Sequence, residues 1–542
     1  MDYRASLAQQ QQAYVKTAGF YGWLRQHRRL WLWLTFISVA LVIELPFLLN
    51  NQLFGGWDQQ FHVNRIEELY RAAQQGAWHN AISTFTFRQA GLGIQIFYPY
   101  LFLYPYALLR LLGVPGISAL YLGNLLYIIL GCWIAYWCML KFLQVRQARR
   151  PIMGAYLFAV LYNLSGYLVF NEMVRFDLPE AQSMMWYPLL FLGLYLTLKR
   201  HRYAWLLTTL GAVMLVYTHV LSAALAAGMV IVVLALGWRD LRDGRTWVDL
   251  TLTGLATLVV SLPELLPMLK TSQAVTIASP KLGSMAGQAI SPLVAVGYGF
   301  GNVTKTGLLT HGVTLGTIVL VALVATWVGF RHLDRFGRTM TTLNTLLFWA
   351  TTKLFPWQLF EHTPVRILQH PWRFYTFISF FTLVVFVLMV DQVQLRQSWR
   401  RVIVGGAMLL TLVTSIATVA VSKPVVTASG YHHFATSARY FDYAPKRSLP
   451  YLTEIYQHQA VISQGKQVIT KKTVTLMPRP DGTKMVIPTI AQGHQIDLPF
   501  FNYGTGYRVT TDQGIRLRPQ ISKRGTIQVT LPRQTRFVTI QY

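Results

Sequence analysis

The sequence predicts a polytopic α-helical membrane protein closed by a β-rich C-terminal domain. Three observations carry this. Of the 542 residues only 13% are charged and 53% are hydrophobic, against about 25% charged in soluble domains. Apolar runs near the ~20 residues that cross a bilayer as helix recur along the chain. From about Lys423 the texture turns to alternating and β-branched stretches separated by turns such as "PDG" and "DQG".

The first element is a polar segment, 1–29, ahead of an apolar run from Leu30 to Leu49. No small-residue cleavage pattern follows that run, so it reads as an uncleaved first span. Basic clusters then set the sides: Arg25, Arg28 and Arg29; Lys141, Arg146, Arg149 and Arg150; Lys199, Arg200 and Arg202; Arg239, Arg242 and Arg245; Arg331, Arg335 and Arg338; Arg396, Arg400 and Arg401. Placed inside by the positive-inside bias, they make the apolar runs pair out and back. Eleven spans result, near 30–49, 117–141, 152–170, 184–198, 203–220, 222–238, 247–266, 313–330, 340–356, 374–391 and 402–421. The N-terminus is inside and the C-terminus outside.

The run Ile96–Gly113 is short and holds Pro99 and Pro105, so it is expected to lie in the outer interface. Its Tyr98, Tyr100, Tyr104 and Tyr106 suit that depth. The transmembrane region thus spans 30–422, with outer loops 50–116, 171–183, 267–312 and 357–373, and a β-sandwich-like domain occupies 423–542 on the outer face. "TVTLMP", "KMVIPTI", "YRVTTD", "TIQVTL" and "RFVTIQY" are its strand signals.

The formal charge is +28, from 48 Lys and Arg against 20 Asp and Glu. No nucleic-acid motif accompanies it, so topology and anionic membrane lipids account for the excess. Cys132 and Cys138 lie inside one apolar run, which supports neither a disulfide framework nor a zinc site.

Ionisable groups outside the basic clusters collect in a few outer loops. The first carries Asp58, His62, Arg65 and Arg88. A helix from Asp58 puts Asp58, His62, Arg65 and Leu69 on one face, and points Glu67 the other way to pair with Arg71 toward solvent. Asp58 after "GGW" is equally a good N-cap. The second loop holds Arg175, Asp177 and Glu180, where Pro179 and Glu180 also suit a helix start. The third holds Glu361, His362, Arg366, His370 and Arg373. His219 stands near the outer end of its span, as a member of the site or as a core histidine, and Glu264 near the end of another. The Gly-rich stretch Thr271–His311 reads as a binding segment or as a passive connector, with a glycosylation-type "NVT" at Asn302.

"GWDQQFHVNRI", "GLGIQIFYPYLFLYPYAL", "RFDLPEAQSMMWYPL" and "LQHPWRF", in this order and followed by "DLPFFNYGTGYRV" and "GTIQVTLP", resemble the YfhO-like bacterial membrane proteins. They also resemble the group labelled 6-pyruvoyl-tetrahydropterin synthase-related, and both are similar to the GT-C glycosyltransferase superfamily. The resemblance implies a GT-C-like fold and transfer of a sugar from a polyprenyl-phosphate carrier to an outer-face acceptor. It places Asp58 as the acidic residue of the first outer loop that serves as catalytic base. A hydroxyl acceptor needs a base and the leaving lipid phosphate needs cations. Arg175 and Arg373 come first for that, then Arg65, Arg88, Arg366 and His370. His62, Tyr98, Glu180 and His219 complete the candidates. A divalent cation, Mg or Mn, would take Asp58, Asp177 and Glu180 as oxygen ligands. The basic C-terminal surface, with Lys423, Lys446, Arg447, Lys466, Lys471, Lys472, Arg516, Arg518, Lys523, Arg524, Arg533 and Arg536, would draw a polyanionic acceptor such as a teichoic or lipoteichoic acid. The competing readings are a lipid or polysaccharide transporter or flippase, and a non-catalytic envelope polymer-binding scaffold.

Overall fold

The computed structural model describes residues 27–279, 283–301, 313–393, 396–420, 423–465 and 467–542. Asn302, Arg25 and Lys466 lie outside the described residues. Each of the eleven expected apolar segments contains a helix. Among the described residues six helices are long and apolar enough to cross a bilayer: Arg28–Asn50, Gly116–Val145, Pro151–Arg175, Gly244–Ala274, Pro371–Gln392 and Gln397–Ala420. Of the other five expected spans, Val220–Leu236 keeps the expected 17 residues and the rest are shorter than the sequence suggested. Tyr187–Leu198 and Thr317–Val328 have only 12 residues each, because turns or extended breaks cut the apolar runs. His219 is one such break: its extended backbone (φ −155°) ends helix Ala204–Thr218 and opens Val220–Leu236.

Helix Tyr375–Gln392 is the buried centre. It packs on Pro151–Asn163, Thr317–Val328 and Arg335–Ala350. Tyr187–Leu198 folds back on Ala204–Thr218 as a tight hairpin. There a Cβ on Gly193 would stand 2.4 Å from Thr208 N, and one on Gly211 would stand 2.6 Å from Leu190 N. The absence of side chains is what lets these backbones meet, as apolar helices need in lipid. Helix Gly244–Ala274 sits at the periphery and exposes Leu255, Leu258 and Val259, a continuous apolar face suited to acyl chains rather than water.

Helix Pro151–Asn163 continues, after a break at Ser165, into the short helix Gly166–Val169 and a π-helical turn, Phe170–Arg175. Such turns are rare and gather at functional sites. Phe176 ends it in the left-handed region (φ 59°).

The C-terminal strands form two antiparallel five-stranded sheets. One runs Gln520–Ile521, Thr526–Thr530, Gln495–Phe501, Gln459–Gln464, Gln467–Thr473. The other runs Leu476–Arg479, Gly482–Val486, Phe537–Gln541, Arg508–Thr511, Arg516–Leu517. Alternate residues of both, among them Ile462, Ile496, Val529, Met485, Val509 and Val538, share one core. The five strand signals in the sequence all fall on strands. Gln495–Phe501 carried no such signal because Pro499 argues against an interior strand. The ladder tolerates it through a register shift between Thr526 and Gln528.

The first outer loop does not stand apart from this unit. Ile82, Phe87, Leu92 and Ile94 are part of the sandwich core, and Gln52–Phe54 pairs antiparallel with Pro424–Thr427. Tyr106 is also not an interfacial residue. It is fully buried, donates to Asn124 Oδ1 at 2.7 Å and accepts from Gln182 Nε2.

Candidate active site

The sequence "GGW" brings two distant segments into contact. A Cβ on Gly55 would lie 2.5 Å from Val425 Cγ2, and one on Gly56 would lie 2.3 Å from Phe176 Cβ. With no Cβ in the way, Asp58 N donates to Arg175 O at 3.0 Å. Asp58 precedes helix Gln59–Gln74, yet its side chain caps no backbone N–H. The N-cap explanation therefore fails for the side chain, which turns instead to Arg175 Nε at 3.8 Å. Asp177 is the residue that caps, accepting from Glu180 N at 3.3 Å at the start of Leu178–Met184.

Arg175 organises the site. Nη2 meets Asp177 Oδ2 at 2.7 Å, Nη1 meets Glu180 Oε2 at 2.6 Å, and the guanidinium carbon lies 5.1 Å from the Trp372 ring centre. Arg373 Nε reaches the same Glu180 oxygen at 3.1 Å, and its Nη1 donates to Leu368 O and Gln369 Oε1 at 3.0 and 2.7 Å. Tyr167 donates to the other Glu180 oxygen. Three segments far apart in sequence thus converge: 56–58, 167–180 and 368–373.

Four of these charges are closed off. Side-chain exposure is 7% for Arg175, 5% for Asp177, 4% for Glu180 and 5% for Arg373, while Asp58 keeps 32%. Burial pushes Glu180 up, but the Arg175 and Arg373 guanidiniums outweigh it and hold the carboxyl well below the usual range. Asp58 goes the other way. Burial and the neighbouring Asp177 raise it to about 7, against the pull of Arg175 and Arg373. With Asp58 protonated, Asp177 and Glu180 balance the two arginines. Its ionisation adds a lone negative charge, which favours taking up a proton at neutral pH.

Beside the cluster lies an aromatic and cationic wall. Tyr98 stacks on His219 (5.8 Å) and lies under Arg65 (4.5 Å). Burial, then Arg65, hold His62 well below its usual value, so it is neutral. His219 Nδ1 is 2.7 Å from Ser222 Oγ. Tyr440 stacks on Phe61 (4.5 Å), and Tyr443 meets Tyr98 edge-on (6.1 Å). Tyr440 and Tyr443 were missed in the sequence because "ARYFDYAP" falls in the region assigned to the outer domain. The aromatic run ahead of strand Gln459–Gln464 was the available signal.

The remaining candidates need correction. Arg65 is fully buried, donates to Tyr98 O and Pro99 O at 2.9 and 2.6 Å, and is lowered by burial to about 10. Its Nη2 braces the wall, while Nε and Nη1 have no hydrogen-bond partner among the described residues. Arg88 is held by its backbone, N–H to Thr436 O and O from His458 Nε2, and none of the contacts that hold the cluster involves it. His370 stacks on Trp372 at 4.6 Å, with Nδ1 3.2 Å from Gln288 Oε1. Burial and the Arg373 and Arg175 charges lower it to about 3, so it brings a hydrogen bond and no charge. Arg366 is half-buried on the turn Pro364–Leu368 of the same loop. The metal set of Asp58, Asp177 and Glu180 does not fit. Asp177 and Glu180 are occupied by guanidiniums, and among the described residues no group of three His, Cys, Asp or Glu is placed to hold an ion.

The face expected in solvent is buried as well. Glu67 is 3% exposed and pairs with Arg71 at 2.8 Å and Arg110 at 3.5 Å. Glu68, fully buried, accepts from Asn80 Nδ2 and from the N–H groups of Thr84, Phe85 and Thr86. It orders the loop that enters the sandwich core. Arg524 is likewise no surface cation, being buried against Asp497 at 2.8 Å.

No protein-family model matches the chain, and no curated protein matches it significantly. The YfhO-like likeness therefore stays a resemblance. Among solved structures it is similar to the arabinofuranosyltransferase AftD from Mycobacteria, at 17% identity and TM-score 0.45 over 76% of this chain and 27% of that one. It is similar to ArnT from Cupriavidus metallidurans bound to undecaprenyl phosphate, at 14% identity and TM-score 0.40 over 74% and 75%. It is also similar to the archaeal oligosaccharyltransferase AglB from Archaeoglobus fulgidus in complex with an inhibitory peptide and a dolichol-phosphate, at 11% identity and TM-score 0.39 over 78% and 61%. The chain spans about a quarter of the length of AftD, and no residue role passes from these structures to it.

Proposed function

We propose that the chain is a membrane glycosyltransferase that moves a sugar from a polyprenyl-phosphate donor to a cell-envelope acceptor on the outer face. The acceptor class is a teichoic or lipoteichoic acid, a glycolipid or a protein. One observation carries the reading: Asp58 is the most accessible member of a buried charge cluster, caps nothing, and is raised to about 7. In this reading the acceptor hydroxyl gives its proton to Asp58, and its oxygen bonds to the anomeric carbon. The carbon–phosphate-oxygen bond breaks, and the electron pair leaves with the lipid phosphate.

Arg175, already facing three carboxylates, is a positioning residue. Arg366, with a neutral hydrogen bond from His370, is assigned to the leaving phosphate, and Arg373, closed off on Glu180, Leu368 and Gln369, supplies fixed positive charge behind it. The membrane part, with its outer loops, is assigned to 30–422, and the outer domain, whose core also takes in Ile82, Phe87, Leu92 and Ile94, to 423–542. On the latter, exposed Lys423, Lys446, Arg447, Lys471, Lys472, Arg516, Arg518, Lys523, Arg533 and Arg536 favour an anionic acceptor.

Replacing the gene with an Asp58→Asn version and analysing envelope glycans and lipid-linked sugars tests the reading. Loss of a glycan with normal protein level is expected, and an unchanged glycan profile overturns it. Transport is the second reading, supported by Glu44 and Glu172, both buried within apolar helical segments. It predicts that the purified protein releases no polyprenyl phosphate from a lipid-linked sugar, with or without Asp58→Asn.

A further inference from the structure

Far from the acid cluster, at the other end of the same helices, lies a cavity of about 440 Å³. Glu180 stands at the start of the segment Leu178–Leu198 and Lys199 just past its end, which puts the mouth of the cavity roughly 28 Å from Glu180 at 1.5 Å per residue. The interior is apolar, with Phe158, Phe191, Leu192, Met340, Phe381 and Val384 among its walls. These residues come from four helical segments, so no single rotamer change closes it.

The mouth has a different character. Arg146, Lys199, Arg239 and Arg335 line it together with one carboxylate, Asp240. Lys199 lies 3.4 Å from Asp240, and Arg146 pairs with Asp334. Even with Asp334 counted, two positive charges remain in excess. Arg146 is held at the rim by the rings of Phe142 and Phe336, 5.4 and 5.0 Å away, while Lys199, Arg239 and Arg335 are exposed.

An apolar chamber among membrane helices, closed by a ring of cations at one membrane edge, matches a molecule with an acyl chain and an anionic phosphate head. Basic pockets between transmembrane helices on the cytoplasmic side bind such head groups, and the volume is that of a small-ligand site. We propose that this cavity binds one anionic phospholipid, its acyl chain between Phe191 and Phe381 and its phosphate between Arg146, Arg239 and Arg335. The site is separate from the glycosyltransferase reading and stands whether or not Asp58 is catalytic.

The test is native mass spectrometry of the purified chain released from micelles containing phosphatidylglycerol or phosphatidylcholine, with thermal unfolding in parallel. Phosphatidylglycerol is expected to be retained at least fivefold more than phosphatidylcholine and to raise the Tm. Inorganic phosphate alone is expected to leave the Tm unchanged, because it cannot fill the apolar chamber. Arg239→Gln/Arg335→Gln, at two exposed side chains, should abolish the preference. Val384→Trp should reduce retention of both lipids by filling the chamber. Equal retention of the two lipids, full retention by the double variant, or an equal Tm rise with inorganic phosphate would each overturn the assignment.

Discussion

Asp58→Asn is the perturbation that separates the catalytic reading from every structural one. A positioned general base contributes about 10²- to 10⁴-fold, so kcat should fall by about that factor while donor KM changes little. The pH profile follows from the raised carboxyl. With a value of about 7, roughly a tenth of Asp58 is ionised at pH 6 and roughly nine-tenths at pH 8, a rise of about tenfold in kcat/KM. Activity is thus lost as pH falls through about 7.

Stability moves in the opposite sense. The folded protein holds the proton more tightly than the unfolded chain, so the Asp58 contribution is favourable below about 4 and is lost as pH rises through about 7. Asp58→Asn should therefore raise the Tm at pH 8 and leave it unchanged near pH 4. The assay is release of polyprenyl phosphate from a lipid-linked sugar by protein in nanodiscs, with unfolding followed by tryptophan fluorescence. A variant that keeps transfer within threefold of wild type, or a flat profile between pH 6 and 8, would refute the assignment.

Other perturbations probe how the site is held. Gly56→Ala places a Cβ 2.3 Å from Phe176 Cβ; transfer should drop at least tenfold at near-normal expression, whereas Gly254→Ala, in open space, should not alter it. Arg175→Ala leaves Asp177 and Glu180 without their shared cation, at a cost of about 3–5 kcal/mol. Expression and Tm should both fall, and adding Glu180→Gln should recover part of the loss. Glu68→Ala strips the acceptor from buried N–H groups of Thr84, Phe85 and Thr86, each costing ~1–3 kcal/mol. Its Tm should fall well below that of Glu68→Gln, and hydrogen exchange over 80–90 should rise. Gly211→Val drives a side chain into the Leu190 backbone and should lower the yield of folded protein in detergent.

Much of this was legible before any coordinates. Lipid rewards continuous apolar helix, so composition located the eleven apolar segments that hold a helix, and period-two alternation located five strands. The three charged loops were legible too, because ionisable groups are scarce in such a chain and each one stands out. What the spacing could not say was how those groups are used. Helical periodicity put Asp58, His62 and Arg65 on one face, yet Arg65 is anchored through Nη2 on the Tyr98 and Pro99 carbonyls and His62 is neutral in a closed wall. Local rules also made Asp58 an N-cap and Glu67 a solvent partner of Arg71. Both fail because Phe176, Arg110 and the 431–445 segment pack on that helix from far along the chain. The sequence by itself determined where apolar matter and charge lie along the chain, since those depend on each residue's own transfer energy. Only the tertiary structure decided which carboxylate stays accessible, because that depends on how many cations and how little water surround it, and those neighbours come from loops more than a hundred residues away.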